Sequence, residues 1–587
     1  MRSSSGILLI TAIAGHAFAK DWESPPYTNL YSQPLPIPPV KAPLKTFTFP
    51  GQAPIDYYEI DIKPFEQQVY PGKAKTRLVG YDGISPGPTF RMTKGREAIV
   101  RFINHGDLAN SVHLHGSYSR APFDGWAEDV TPRQSYKDYY YPNQQNARML
   151  WYHDHAIDHT AQNAYLGQAG AYILTDSEEQ AITGLPKGNY ELPLTLASKR
   201  YNSDGSLYTP DANGVTDNLF GDVIHVNGQP WPYFKVEPRK YRLRFLNAAI
   251  SRSFQLYFEA SGKLGTRITF NVVASDAGLL LKPVASTQLD ISMAERWEVV
   301  FDFAGLQGQN VTLRSNANIP SVTPYLHTDK VMQFIVGNTV TDTSNNDALP
   351  AKLRDVPFPP NKNGLDHAFE FQRQGGEWKI NGVSWADGPA ARILAKPLRG
   401  NVERWELKNG AGGWTHPIHI HLVDFQIVSR TGGNRPVLPY EAVALKDVVW
   451  LNTNEVVNVI ARYAPWDGLY MFHCHNLIHE DHEMMAAFNV TALDNLGYTE
   501  TTRFIDPMEA TYRAKPFNDV DWTGRTGDFS DAAISAKATF FNKLNAYSEQ
   551  PQVDAALQAY WKTHVARAAT TLATATKRSV EATAAVG

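Results

Sequence analysis

The chain has 587 residues, 43% of them hydrophobic and 19% charged, with 41 Gly, 38 Pro and a formal net charge of −4. That length accommodates roughly three or four domains of ordinary size, and the composition is that of a folded, turn-rich, β-dominated protein rather than a disordered one. The small net charge gives no electrostatic pull toward nucleic acid or an anionic membrane, which leaves small-molecule chemistry as the natural class.

The chain opens with MRSSSGILLITAIAGHAFAK. One Arg, an apolar run from Ile7 and the small-residue pattern Ala17, Phe18, Ala19 predict a signal peptide over 1–19, cleaved after Ala19. No later apolar run approaches the roughly 20 residues of a membrane span, so the mature protein is expected to be secreted and extracellular, with no membrane anchor. Residues 20–44 read as an N-terminal extension that fits a propeptide. Two glycosylation sequons, at Asn310 and Asn489, agree with export. An exported protein ordinarily gains disulfides, yet the chain holds a single cysteine, Cys474.

Three stretches share one pattern of Gly turn, Pro-containing strand start, second turn, alternating run and Asn. They are DGISPGPTFRMTKGREAIVRFIN from 82, VNGQPWPYFKVEPRKYRLRFLN from 226 and INGVSWADGPAARILAKPLRGNVERWELKN from 380. Period-two alternation, as in Val402, Arg404, Glu406 against Glu403, Trp405, Leu407, predicts strands between tight turns. Copies about 150 residues apart are a domain repeat, too long for a solenoid unit. The expected organisation is three β domains over 45–183, 184–340 and 365–495, a linker over 341–364 and a helical or disordered tail over 496–587. The tyrosines of YKDYYYP at 136–142 predict a half-buried strand.

Four His-x-His pairs are present among 18 histidines: His113/His115, His153/His155, His419/His421 and His473/His475. Chance would supply roughly half of one such pair. On a strand, residues two apart share a face, so each pair offers two imidazoles to one site. Eight imidazoles suffice for about three transition-metal ions with positions left open for substrate. Two pairs come from the first domain and two from the third, which places that site between them and leaves the middle domain as spacer or support.

The same parity defines a second site. Cys474 faces away from His473 and His475, and His416 faces away from His419 and His421. With His479 they make a His₂Cys set, and Met484 offers an axial thioether, the donor set of blue copper. Structural zinc would favour paired cysteines and gain nothing from the thioether. The cysteine thus joins two sites: its sulfur serves one and its covalent neighbours serve the other. One-electron oxidation at an outer site, feeding full reduction of dioxygen at a cluster, is the implied chemistry. A plain copper carrier would need only one of the two sites.

At these residues the chain resembles the multicopper oxidases. HLHG, WYHDH, HPIHIH and HCHNLIHEDHEM stand in that family's order, and the resemblance spans about residues 45 to 495. It implies an all-β fold of three cupredoxin-like Greek-key sandwiches with a partly helical C-terminal tail. It also implies four copper ions: type 1 on His416, Cys474, His479 and Met484; type 2 on His113 and His419; a type 3 pair on His115, His153, His155, His421, His473 and His475. Within the family the likeness is to members that oxidise bilirubin-like tetrapyrroles and phenols, acting as monomers on a small-molecule donor and dioxygen. The alternative is a laccase-like or pigment-forming phenol oxidase. A metal-ion oxidase fits less well, since there is no Met-rich insert.

Reducing dioxygen consumes protons, so acids are needed near the cluster. Asp124 in FDGWAED and Glu480 after His479 are the candidates, and both match proton-delivering acids of similar oxidases. Trp414, two residues before His416, is the candidate for the rim where an aromatic donor docks. His105, His159 and His482 break the motif spacing and are left out of the ligand set.

Overall fold

The computed structural model describes residues 19–564 except 411 and 434. The predicted signal peptide up to residue 18 and the chain beyond 564 lie outside the described residues. The strands form three pairs of sheets, in chain order, and the fold is all-β with cupredoxin-like sandwiches.

In the first pair, Ile55–Gln67, Glu97–Asn104 and Ser135–Tyr141 run through one sheet. The other holds β1 (Gly87–Thr93), β2 (Val112–His115), β3 (Arg148–Asp154) and β4 (Ala169–Thr175), in the order β1-β4-β3-β2. The short helix α1 (Thr160–Leu166) lies between β3 and β4. The middle pair contains β5 (Phe270–Ser275) and β6 (Arg296–Asp302), which pair antiparallel. In the third pair, β7 (His416–Ile420) is flanked by β8 (Val448–Leu451) and β9 (Gly468–Cys474). Helix α2 (Leu477–Asp481) follows, and β10 (Met485–Val490) lies beside β9, with Ile393–Ala395 on its other side at the sheet edge.

The three sequence repeats do one topological job. In each, a first strand pairs parallel with the last strand of its sandwich: β1 with β4, Tyr233–Val236 with Lys330–Val336, Ile393–Ala395 with β10. After the turn, a second strand pairs parallel with an early strand of the opposite sheet: Glu97–Asn104 with Ile55–Gln67, Lys240–Asn247 with Glu191–Lys199, Val402–Asn409 with His367–Gln374. Parallel neighbours cannot be joined by hairpins, so each repeat is a crossing between sheets, and its Gly and Pro residues make that corner. The alternation is real in three dimensions: Glu403, Trp405 and Leu407 are buried while Val402, Arg404 and Glu406 are partly exposed. Burying Glu403 is tolerated because Trp405 Nε1 donates to its Oε2 at 2.9 Å.

One expectation needs correction. The tyrosine strand Ser135–Tyr141 is buried on both faces, not half-buried. The tail covers its outer side: Phe541 packs on Tyr140 with centroids 4.5 Å apart, and the Tyr547 hydroxyl donates to the Tyr140 carbonyl at 2.7 Å. The described part of that tail is partly helical, with helices at Asp531–Leu544 and 550–564. It also reaches the third sandwich, where Trp561 Nε1 donates to the Arg399 carbonyl at 2.9 Å.

Candidate metal centres between the first and third sandwiches

Cross-strand register brings the histidine pairs together two by two. His113 lies opposite His153 on β2 and β3, and His419 opposite His473 on β7 and β9. The two strand pairs face each other across the junction of the first and third sandwiches, with all eight imidazoles at 1% exposure or less. Ring nitrogens meet there: His113 Nε2 and His419 Nε2 at 3.4 Å, His155 Nε2 and His473 Nε2 at 3.1 Å, His421 Nε2 and His473 Nε2 at 3.2 Å, His115 Nδ1 and His153 Nε2 at 3.4 Å.

On five of these rings Nδ1 is taken. His113 Nδ1 donates to the Asp124 carbonyl at 2.5 Å, His419 Nδ1 to the Asp447 carbonyl at 2.8 Å and His153 Nδ1 to the Asp154 carbonyl at 2.7 Å. His421 Nδ1 meets Asp124 Oδ2 at 2.8 Å and His473 Nδ1 meets Glu480 Oε2 at 2.8 Å. A neutral imidazole has one N–H, so His113 and His419 present lone pair to lone pair. Burial pushes His113, His115, His419, His421 and His475 well below the usual range, His153 down to about 3 and His155 to about 4, which keeps those seven rings neutral. His475 has no partner at either nitrogen among the described residues. Buried, neutral rings that aim lone pairs at one another fit a group of cations.

The second predicted set lies on the other face of the same strands. His416 Nδ1 is 3.4 Å from Cys474 Sγ and 3.2 Å from His479 Nδ1, and Cys474 Sγ is 3.7 Å from His479 Nδ1. All three are buried, and the sulfur accepts from the Asn476 N–H at 3.4 Å. Burial pushes the Cys474 thiol up and the His416 ring down to about 3, so a bound metal must displace the thiol proton. Met484 is buried in the same loop, its carbonyl accepting from Cys474 N–H at 3.1 Å and its N–H donating to the His479 carbonyl at 2.9 Å.

Among the remaining candidates, Asp124 and Glu480 each touch cluster rings, Glu480 also standing 3.5 Å from His155 Nδ1. Burial pushes the Asp124 carboxyl well up, and its Oδ1 has no hydrogen-bond partner among the described residues. Trp414 is half-buried and stands edge-on to His479, centroids 6.0 Å apart. The three excluded histidines stay outside: His105 pairs with Asp61 at 2.5 Å, His159 with Asp211 at 3.6 Å and His482 with the Ile478 carbonyl at 2.8 Å.

Sequence reasoning missed four contributors. Trp378 stacks on the His479 ring at 3.7 Å. Asn476 links His479 Nε2, at 3.1 Å, to Asn218 Oδ1 of the middle sandwich, at 2.6 Å. Asp481 accepts the first N–H groups of α1, from Thr160 at 3.0 Å and Ala161 at 2.7 Å, and so ties the third sandwich to the first. Asp447 accepts from His115 Nε2 at 3.1 Å. Asn476 and Asp481 lie inside HCHNLIHEDHEM without a ligand role to mark them, and Trp378 and Asp447 lie outside the histidine motifs; only the buried charges in LKDVVW, leading into an apolar strand, hint at a partner.

Residues 65–179 and 357–494 match two family models, each described as multicopper oxidase. The chain is 54% identical over 546 residues to a bilirubin oxidase of Albifimbria verrucaria, covering 91% of this chain and 94% of that protein. The chain is a multicopper oxidase. It is also 31% identical to a laccase of Bacillus stratosphericus, over 78% of this chain and 98% of the other. Among solved structures, a laccase from Pediococcus acidilactici superposes with a TM-score of 0.69 at 27% identity, covering 81% and 96% of the two chains. The McoA multicopper oxidase of Aquifex aeolicus gives 0.68 at 27%, over 78% and 99%. As a multicopper oxidase the chain uses copper, a small-molecule reductant and dioxygen as acceptor, and the two donor groups are of the kind copper takes.

Proposed function

We propose that the chain is a secreted oxidase whose electron donors are bilirubin-like tetrapyrroles or phenols. In this reading His416, Cys474, His479 and Met484 hold one type 1 copper, His113 and His419 one type 2, and His115, His153, His155, His421, His473 and His475 a type 3 pair. Bound there, copper supplies one-electron acceptance at the outer site and reduction of dioxygen to water at the inner one.

The observation that carries the reading is the position of Cys474. Its sulfur lies with His416 and His479, while His473 and His475, one peptide bond away on either side, point into the eight-imidazole cluster. The protein itself supplies three things. Burial removes the imidazoles from bulk solvent. Asp124 holds the ring N–H of His421 and the Glu480 carboxylate stands 2.8 Å from His473 Nδ1, positions from which a carboxyl can pass a proton inward. Trp414, half-exposed beside buried Trp378 and edge-on to His479, gives an aromatic surface at the rim for a planar donor. The tetrapyrrole class rests on the 54% identity to a bilirubin oxidase. For glycosylation, Asn310 is exposed at a strand start and Asn489 is half-buried within β10, which favours Asn310.

The test is steady-state turnover of the copper-loaded chain in air, comparing bilirubin with simple phenols while dioxygen is counted. The expected result is preference for bilirubin, with one dioxygen used per two bilirubin converted to biliverdin. Preference for phenols at the same electron stoichiometry would move the protein to the laccase-like class. No dioxygen uptake with either would overturn the proposal.

A further inference from the structure

The middle sandwich contributes no histidine to the cluster, but it reaches the cluster through one side chain. Arg296, at the start of β6, is fully buried and grips Asp447 of the third sandwich with both ends of its fork, Nη1 to Oδ1 at 2.7 Å and Nη2 to Oδ2 at 2.5 Å. Asp447 Oδ1 in turn accepts from His115 Nε2 of the first sandwich at 3.1 Å. All three sandwiches therefore meet in one line of hydrogen bonds.

We propose that Asp447, clamped by Arg296, is a positioning residue that holds His115 in the tautomer whose Nδ1 lone pair faces the cluster. His115 is the odd ring of the set. His113, His153, His419, His421 and His473 each have Nδ1 engaged and Nε2 turned inward, whereas His115 has Nε2 engaged and Nδ1 facing His153. A carboxylate at Nε2 demands the proton there and frees Nδ1 as a donor to metal.

The clamp is held in turn. Asp276, just after β5, accepts from the Arg296 backbone N–H at 2.7 Å and from those of Asp447 and Val448 at 3.2 Å each. Lys446 bridges Asp276 and Glu295 at 2.9 Å each. Gly116, the last residue of HLHG, is where the arm enters: a Cβ there would lie 2.6 Å from Arg296 Nη2 and 2.6 Å from Asp447 Oδ2, and its φ of +85° is a left-handed conformation. The glycine of the motif leaves room for the clamp.

This inference rests on the copper reading above. Removing Asp447 alone leaves the Arg296 donors facing His115, which favours a lone pair on Nε2 and a proton on Nδ1, the wrong tautomer for binding. The experiment measures copper affinity by chelator competition, together with the electron paramagnetic resonance of the type 1 and type 2 centres and the near-ultraviolet absorption of the coupled type 3 pair, in the full-length chain. Asp447→Ala is expected to weaken copper binding at the cluster by about 10–100-fold while the type 1 signal persists. Asp447→Ala with Arg296→Met should recover part of that loss, because no cation remains to enforce the wrong tautomer; a part with a purely structural role would instead lose more. Unchanged cluster affinity in the single variant, or a double variant no better than the single, would overturn the proposal. If Asp447→Ala fails to fold, Arg296→Lys carries the test. It keeps the charge but loses the fork, and a fall in cluster copper supports the clamp while full retention overturns it. Wild-type chain lacking cluster copper would overturn the copper reading itself, whereas a fully loaded wild type with unaffected variants overturns only this inference.

Discussion

The two donor groups share strands β7 and β9 but are built on different principles. The Cys474 pocket brings together His416, Cys474 and His479 from one sandwich, with the proposed axial Met484 five residues further on, and adjacent strands place Ile418 opposite Cys474 to set its register. The eight-imidazole cluster draws half its rings from β2 and β3 and half from β7 and β9, and is complete only when two sandwiches have docked. The pocket depends on one fold. The cluster depends on an interface, and its polar contacts at Asp124, Asp447 and Asp481 are the parts that fix that interface.

The sharpest way to separate the two is to break the pocket and leave the interface alone. Cys474→Ser is expected to abolish the blue absorption and donor oxidation, while cluster copper, counted per chain, and the folded state persist. Persistence of an intense blue band would disprove the pocket assignment. The reverse cut is Asp124→Asn, which should slow dioxygen reduction by roughly a hundredfold while reduction of type 1 copper by donor stays fast. Stopped-flow measurement of the two half-reactions decides it, and equal slowing of both would remove Asp124 from proton delivery. The mildest change is Met484→Leu, close to volume-conserving and so expected to cost less than about 1.5 kcal/mol of stability. Loss of an axial thioether should raise the type 1 potential, and an unchanged midpoint in a redox titration would show that Met484 does not act on the metal.

The division into two faces was legible in the sequence because a strand reports its sides by parity. His473 and His475 against Cys474, and His419 and His421 against His416, needed no more than a period of two. The threefold repeat was legible because each copy carries the same Gly and Pro corner, but that each copy crosses between sheets was not. What stayed hidden depends on partners far away in the chain. Arg296 and Asp447 are 151 residues apart and Asp481 reaches Thr160 across 321, and no local pattern marks such a pair. The tyrosine strand misled for a similar reason: its sequence describes one buried face, and the cover on the other is supplied by Tyr547, 407 residues later.

That last contact bears on how the protein is made. Domains of a long chain tend to fold in turn as they emerge during synthesis, the N-terminal one first. Here the first sandwich can form early, but its outer sheet stays bare until the tail is complete. Arg120 waits with it, a fully buried cation stacked 3.8 Å from the Trp466 ring whose carboxylate neighbours, Glu500 and Glu549 at 3.6 Å each, are among the late-made residues. Translation arrested before residue 500 would therefore leave every proposed copper ligand in place, with an unneutralised arginine beside an uncovered sheet.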